Sequence, residues 1–171
     1  MATTERALRT VRLIGRPLAE GDADDLRVMH ADAKTMATLG GRRTTAESAD
    51  WLERNLDQWA KHDHGIWIFR DQQGRFAGRA GLRWIEVEGL PEIELGYALL
   101  ADCWGRGLGT EMAGKVLSAE RERVRPASVI ALIDPANRPS LRVGEKLGFL
   151  FERDVKWSGS LAGMFRLRAG I

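Results

Sequence analysis

Seven residues, Trp104-Gly-Arg-Gly-Leu-Gly-Thr110, set three alternating glycines between two stretches of different periodicity. Before them, Ile93 to Leu100 is an apolar run of ordinary strand length. After them, Leu108, Met112, Lys115 and Val116 follow the i, i+4, i+7, i+8 spacing of a helix face. Glycine lacks a Cβ, so backbone amides at such a junction can approach a ligand closely and take up positive φ. A helix that starts there adds unpaired N–H groups and the positive end of its dipole. Strand, glycine turn and helix start together make a seat for a phosphate or pyrophosphate.

The loop's details separate the phosphate-binding motifs. A P-loop requires Gly-Lys-Ser or Gly-Lys-Thr, and no such sequence follows these glycines. A dinucleotide fold requires G-x-G-x-x-G; Gly105 and Gly107 fit, but Thr110 stands at the third glycine. Asp134, ending the apolar run Val129 to Ile133, imitates the ribose-binding acid and keeps a dinucleotide-binding protein as an alternative.

Trp104-Gly-Arg-Gly-Leu-Gly109 resembles the acetyl-CoA loop [QR]-x-x-G-x-[GA] of the GNAT superfamily of N-acetyltransferases, with Trp in the place of Gln or Arg. The form W-G-[KR]-G-x-[GA]-T-E is similar to the RimJ/RimL-type branch. Three further stretches resemble that branch in the same order: Met36 to Gly41, Glu94 to Leu100 and Asn137 to Phe149. The resemblance spans nearly the whole chain. It implies an acyltransferase moving an acetyl group from acetyl-CoA, as co-substrate, to a primary amine by direct attack. A protein N-terminus or a small-molecule amine is the implied acceptor. A CoA-binding module without turnover is the alternative from a different class.

Candidate residues follow from the chemistry. An amine nucleophile must lose a proton, and a carboxylate on the strand leading into the loop would serve as base. Glu92 and Glu94 share one face of that strand; Glu94 lies nearer its apolar centre and is the expected base. The backbone at Ala98, Leu99 and Leu100 is expected to pair with the pantetheine amides as a strand would. Gly105, Arg106, Gly107, Leu108, Gly109 and Thr110 are expected at the pyrophosphate. The departing thiolate benefits from a proton donor, which many members supply as a Tyr in the string Y-E-K-L-G-F. Here Gly144 occupies that place. The resemblance therefore puts Ser140 beside the sulfur, as donor or hydrogen-bond partner, and Asn137 on the pantetheine. Tyr97, the only tyrosine, lies on a different element. Trp84 is a candidate wall of the acceptor pocket. His62 and His64 flank Asp63 without further ligands, so no metal site is expected. Cys103 adjoins the loop with no nearby histidine to activate it and is expected to be structural.

With 171 residues the chain is expected to form one domain over residues 1–171. Its net charge of +2 argues against nucleic acid as a partner. No run of about 20 apolar residues and no secretory leader pattern appears, so no membrane role is expected. A single cysteine forms no internal disulfide, and the cytoplasm is the expected compartment, with a monomer or homodimer as the assembly. Strands come first, over 9–14, 66–69, 76–87 and 92–100. Then the order is strand, helix, strand, helix, strand, with helices over 45 onward, 107–124 and 139–147. Fold class α+β is expected: a GNAT-like three-layer α/β/α sandwich around a mixed, mostly antiparallel sheet of about seven strands. The polar segment Lys34 to Arg43 is expected as a loop at the lip of the substrate site.

Overall fold

The computed structural model describes residues 6–170. Its chain runs β1 (Leu8–Arg9), β2 (Leu13–Pro17), α1 (Ala23–Ala31), α2 (Ala33–Met36), α3 (Thr45–His62), β3 (Ile66–Asp71), β4 (Phe76–Val87) and β5 (Leu90–Leu99). It continues through α4 (Leu108–Val124), β6 (Ser128–Ile133), α5 (Arg138–Lys146), β7 (Leu150–Trp157) and β8 (Ser160–Arg168). One sheet holds eight strands in the order β1-β2-β3-β4-β5-β6-β8-β7. Every pair is antiparallel except β5 with β6. The eighth strand arises because the stretch expected as one strand over 9–14 is broken by a turn. Thr10 donates to and accepts from Leu13 there, and the chain folds back with Leu8 opposite Gly15.

Two apolar layers cover the sheet. Leu108, Met112, Ala113 and Val116 of α4 bury themselves against Trp67, Leu82, Ile93 and Leu95. On the other face Leu26 of α1 and Trp51 and Leu52 of α3 pack on Ile66 and Ile68. Helix α3 begins with a reciprocal cap: Thr44 accepts from the Glu47 amide while Glu47 accepts from the Thr44 amide. The long β4–β5 hairpin turns on Glu88 and Gly89, both with positive φ, as a two-residue hairpin turn of the right hand requires. Ser158 and Gly159 repeat the device between β7 and β8, so the last strand starts at Ser160, well before the expected Met164.

One irregularity positions everything functional. Strand β5 meets β6 at a single register pair, Glu94 with Ile130. Beyond it the two strands part, and the sheet is split towards the carboxyl end of β5. The parallel, doubly wound sheet that a dinucleotide fold needs is not formed, and Asp134 instead accepts from the Ala136 amide in a turn.

Candidate active site

The split opens a cleft of about 570 Å³ that reaches from α3 on one face to α5 on the other. Its lining includes Glu94, Gly96 and Tyr97 of β5, Asn137 and Ser140 at α5, and Arg79, Arg83 and Trp84 of β4. Residues 37–41 and Arg43 form its lip, where a loop is expected. The first residues of the expected loop Lys34 to Arg43 are instead helical: α2 is started by Asp32, which accepts from the Thr35 amide. The Thr35 hydroxyl in turn accepts from the Ala101 amide at 3.0 Å, tying the lip to the end of β5.

Following β5 through Ala101–Cys103, the chain enters the glycine loop, which lines a separate hollow with Arg12, Leu100 and Cys103 rather than this cleft. Gly105 and Gly107 take φ of +77° and +75°, conformations that side chains disfavour. The amides of 105–110 have no backbone carbonyl partner among the described residues. Alternating left- and right-handed residues before a helix start make a concave nest of N–H groups that suits a polyanion. Two residues outside the expected set hold this loop. Arg12 donates to the Arg106 carbonyl at 2.7 Å and pairs with Glu111, which also accepts from Thr10. Burial would raise the Glu111 carboxyl, but the bonds from Thr10 and Arg12 outweigh it and hold it below its ordinary value. Cys103 is partly buried against the α4 core.

Of the backbone expected to carry pantetheine, the geometry singles out Leu99. The Leu100 amide donates to Ala77 of β4. By alternation, Ala98 and Leu100 direct their polar groups towards β4, whereas Tyr97 and Leu99 direct theirs into the split. The Leu99 carbonyl accepts from the Trp104 indole at 3.1 Å. Asn137 caps α5, its Oδ1 accepting from the Ser140 amide at 3.1 Å, which leaves its amide NH₂ for the cleft.

Tyr97 lies on β5, a different element from α5 as expected, yet it reaches Ser140 across the split. Its hydroxyl lies 2.5 Å from the Ser140 Oγ, so the Ser140 hydroxyl is engaged with a phenol across the split. Burial raises the Tyr97 pKa, a bond from Ser140 opposes this, and the phenol stays protonated. Gly144 could not supply one: a Cβ there would stand 3.3 Å from Ile133, inside the packing of α5 on β6.

Glu94 is buried and accepts from the Arg83 Nε at 2.8 Å, its cross-strand neighbour. Glu92, its rival, accepts two bonds from Arg166 and is absent from the cleft lining. Arg79, also on the Glu94 face, is buried with its guanidinium 4.3 Å above the Trp51 ring centroid. Trp84 reaches the rim of the cleft, but it alternates with Arg83 and so projects from the opposite face, where its ring neighbours His62. His64 is buried with Nδ1 at the Leu82 carbonyl, and no cluster of metal-ligating residues occurs among the described residues.

The profile of the family described as "Acetyltransferase (GNAT) domain" matches residues 12–150. The Bacillus subtilis (strain 168) protein YkkB, itself uncharacterised, is 28% identical over 133 residues, 77% of each chain. A mycothiol acetyltransferase of Thermomonospora curvata is 32% identical over 165 residues, which is 83% of this chain. The chain spans about half the length of that relative, 52%. The crystal structure of an acetyltransferase from Agrobacterium tumefaciens str. C58 superposes with a TM-score of 0.85 at 24% identity, over 99% of this chain and 98% of its own, a likeness of fold. Because the matching profile runs from the edge of β2 to the start of β7, taking in both walls of the split sheet, the chain belongs to the GNAT acetyltransferase family.

Proposed function

We propose that the chain transfers an acetyl group from acetyl-CoA to a primary amine by direct attack, within a single domain and in the cytoplasm as a monomer or homodimer. The carrying observation is the split between β5 and β6, where a buried carboxylate and a protonated phenol line one cleft from opposite faces of β5. The 105–110 amides receive the pyrophosphate, and the Leu99 backbone and the Asn137 NH₂ align the pantetheine. The thioester then lies in the split beside Ser140.

Glu94 takes the amine's proton, directly or through water, as the amine nitrogen bonds to the thioester carbonyl carbon. The carbon–sulfur bond breaks, and the sulfur's negative charge meets the Ser140 and Tyr97 hydroxyls. Tyr97 is the better acid of the two, with Ser140 as the bridge, and its proton completes the thiol. No covalent enzyme intermediate and no metal enters this scheme. The branch resemblance carried by Trp104 to Thr110 favours an α-amine as acceptor.

The test is thiol release from acetyl-CoA across a panel of N-terminal peptides, amino acids, polyamines and aminoglycosides. Amine-dependent release is expected. A protein that binds CoA yet releases thiol at the same rate with every amine and with none is a binding module, and the proposal fails.

A further inference from the structure

We infer that the acceptor is a small amine carrying its own oxyanion, a carboxylate or phosphate, which an arginine box on the α3 face of the cleft receives. The inference rests on the acetyltransferase reading and names its substrate class.

Four arginines line the cleft: Arg43 after the lip, Arg54 on α3, and Arg79 and Arg83 four residues apart on the same face of β4. Two carboxylates line it with them. Asp134 lies on the α5 side and is used in its own turn. Glu94 is the lining acid on the arginine side, and it is taken by Arg83. Arg79 is the decisive residue. It is only 5% exposed, and its Nε has no hydrogen-bond partner among the described residues. Its guanidinium makes no ion pair there and is held in place by the Trp51 ring. Arginine is almost never buried unless paired, because removing a guanidinium from water is expensive without a compensating partner.

The neighbourhood makes the imbalance worse. Burial, followed by the like charges of Arg83 and Arg43, lowers the Arg79 pKa to about 9, with Glu94 opposing. Arg43 is lowered in the same way, by burial and then by Arg83 and Arg54, with Glu47 opposing. Its guanidinium has only the Met36 sulfur, 4.0 Å away, as a partner. Gly96 keeps the floor clear: a Cβ there would sit 3.5 Å from the Arg83 Nε and 3.6 Å from Glu94. A planar fork of donors fits a carboxylate or a phosphate, and an anion delivered here offsets the repulsion among these arginines.

Depth selects a small acceptor. The Arg79 fork and the Glu94 that takes the proton line one cleft from the same face of the sheet, so a single small acceptor can turn its amine to Glu94 and its anion to the fork. A polyamine would bring more positive charge to the same wall, and the box rejects it. The phosphates of CoA are not the intended anion, since their seat is the 105–110 nest, none of whose residues lines this cleft.

The experiment compares matched acceptors in the presence of acetyl-CoA: amino acids against their carboxamides, phosphoethanolamine against ethanolamine, and spermidine as the cationic control. The carboxamide amine is the less basic and more often neutral, which biases the comparison against the inference. Wild-type kcat/KM is expected to favour the anionic member of at least one pair by 30-fold or more. The carboxylate and phosphate pairs tell which oxyanion is read. Arg79→Met keeps the stacking length over Trp51 and should lower that value 10- to 100-fold, mainly through acceptor KM. Turnover of the neutral counterpart and KM for acetyl-CoA should stay within about twofold. Arg43→Gln, a less buried position, should give a weaker loss of the same kind and stands in if Arg79→Met does not fold. If neutral or cationic amines are acetylated as well as anionic ones, or if both variants lose all acceptors equally, the arginine box has no recognition role and the inference is overturned. If no amine of any charge is acetylated, the acetyltransferase reading falls first and takes this inference with it.

Discussion

At the scale of single residues, two proton transfers are divided between two faces of one sheet. Glu94 has the acceptor side and Tyr97 with Ser140 the thioester side. Ser140→Ala and Tyr97→Phe should each lower kcat about 10- to 150-fold, the worth of one hydrogen bond to developing charge, and leave KM for acetyl-CoA nearly unchanged. Because the two hydroxyls bond one another, the double variant should lose little more than the worse single one. Steady-state rates of the three variants check this; losses that multiply would show two independent groups. Glu94→Gln should cost more, about 10²- to 10⁴-fold in kcat. None of the Tyr97 contribution was legible beforehand. The only phenol lies 43 residues from Ser140 in the chain, and the juxtaposition exists only because β5 and β6 separate. Glu94 was legible as a strand residue near the loop, but its guanidinium partner was not, since cross-strand register depends on the Glu88–Gly89 turn.

At the scale of elements, the glycine loop was the best-written part of the chain. Its positive-φ glycines and its free amides both fall where the spacing puts them, and α4 ends at Val124 before Pro126 as its stop signals require. Gly107→Val should weaken CoA binding at least tenfold, about 1.4 kcal/mol, because a β-branched residue is strained at a φ of +75° and its side chain would crowd the Arg12 guanidinium, 3.7 Å from the added Cβ. Calorimetry on the folded variant decides; unchanged affinity would remove the loop from the site. What the chain concealed were short elements and pins. Helix α2 is four residues long, too short for any periodicity, and is made by the Asp32 cap alone. The Arg12–Glu111 clamp joins residues 99 apart, a distance no local pattern reports. The extension of β8 back to Ser160 was signalled by Ser158-Gly159, a turn pair read too late because the strand after it is small and polar.

At the scale of the whole molecule, the arginine side of the cleft is built over a buried histidine, and that sets a pH limit on the fold. His30 is fully buried, its Nδ1 2.8 Å from the Ser48 hydroxyl and its ring edge-on to Trp51. Burial, and then the charges of Arg79 and Arg43, lower its pKa from 6.5 to about 3. The unfolded chain therefore binds a proton that the folded one refuses between those values. Stability is lost as pH falls below about 6.5, at up to ~1.4 kcal/mol per pH unit. Urea unfolding of wild type and His30→Asn should show a stability gap that narrows by roughly 2 kcal/mol between pH 7 and pH 5. A gap constant over that range would mean that the ring is charged inside the fold. No helix of the described residues is long and apolar enough to cross a membrane.

The central claim is that amine and thioester meet in one cleft and react without an acetylated enzyme. Initial rates of thiol release, measured while acetyl-CoA and an active amine are varied together, test it most directly. Direct attack requires both substrates to be bound at once and predicts reciprocal plots that intersect, with no thiol burst when amine is withheld. Parallel lines accompanied by a stoichiometric burst would reveal a covalent acetyl-enzyme and contradict the account.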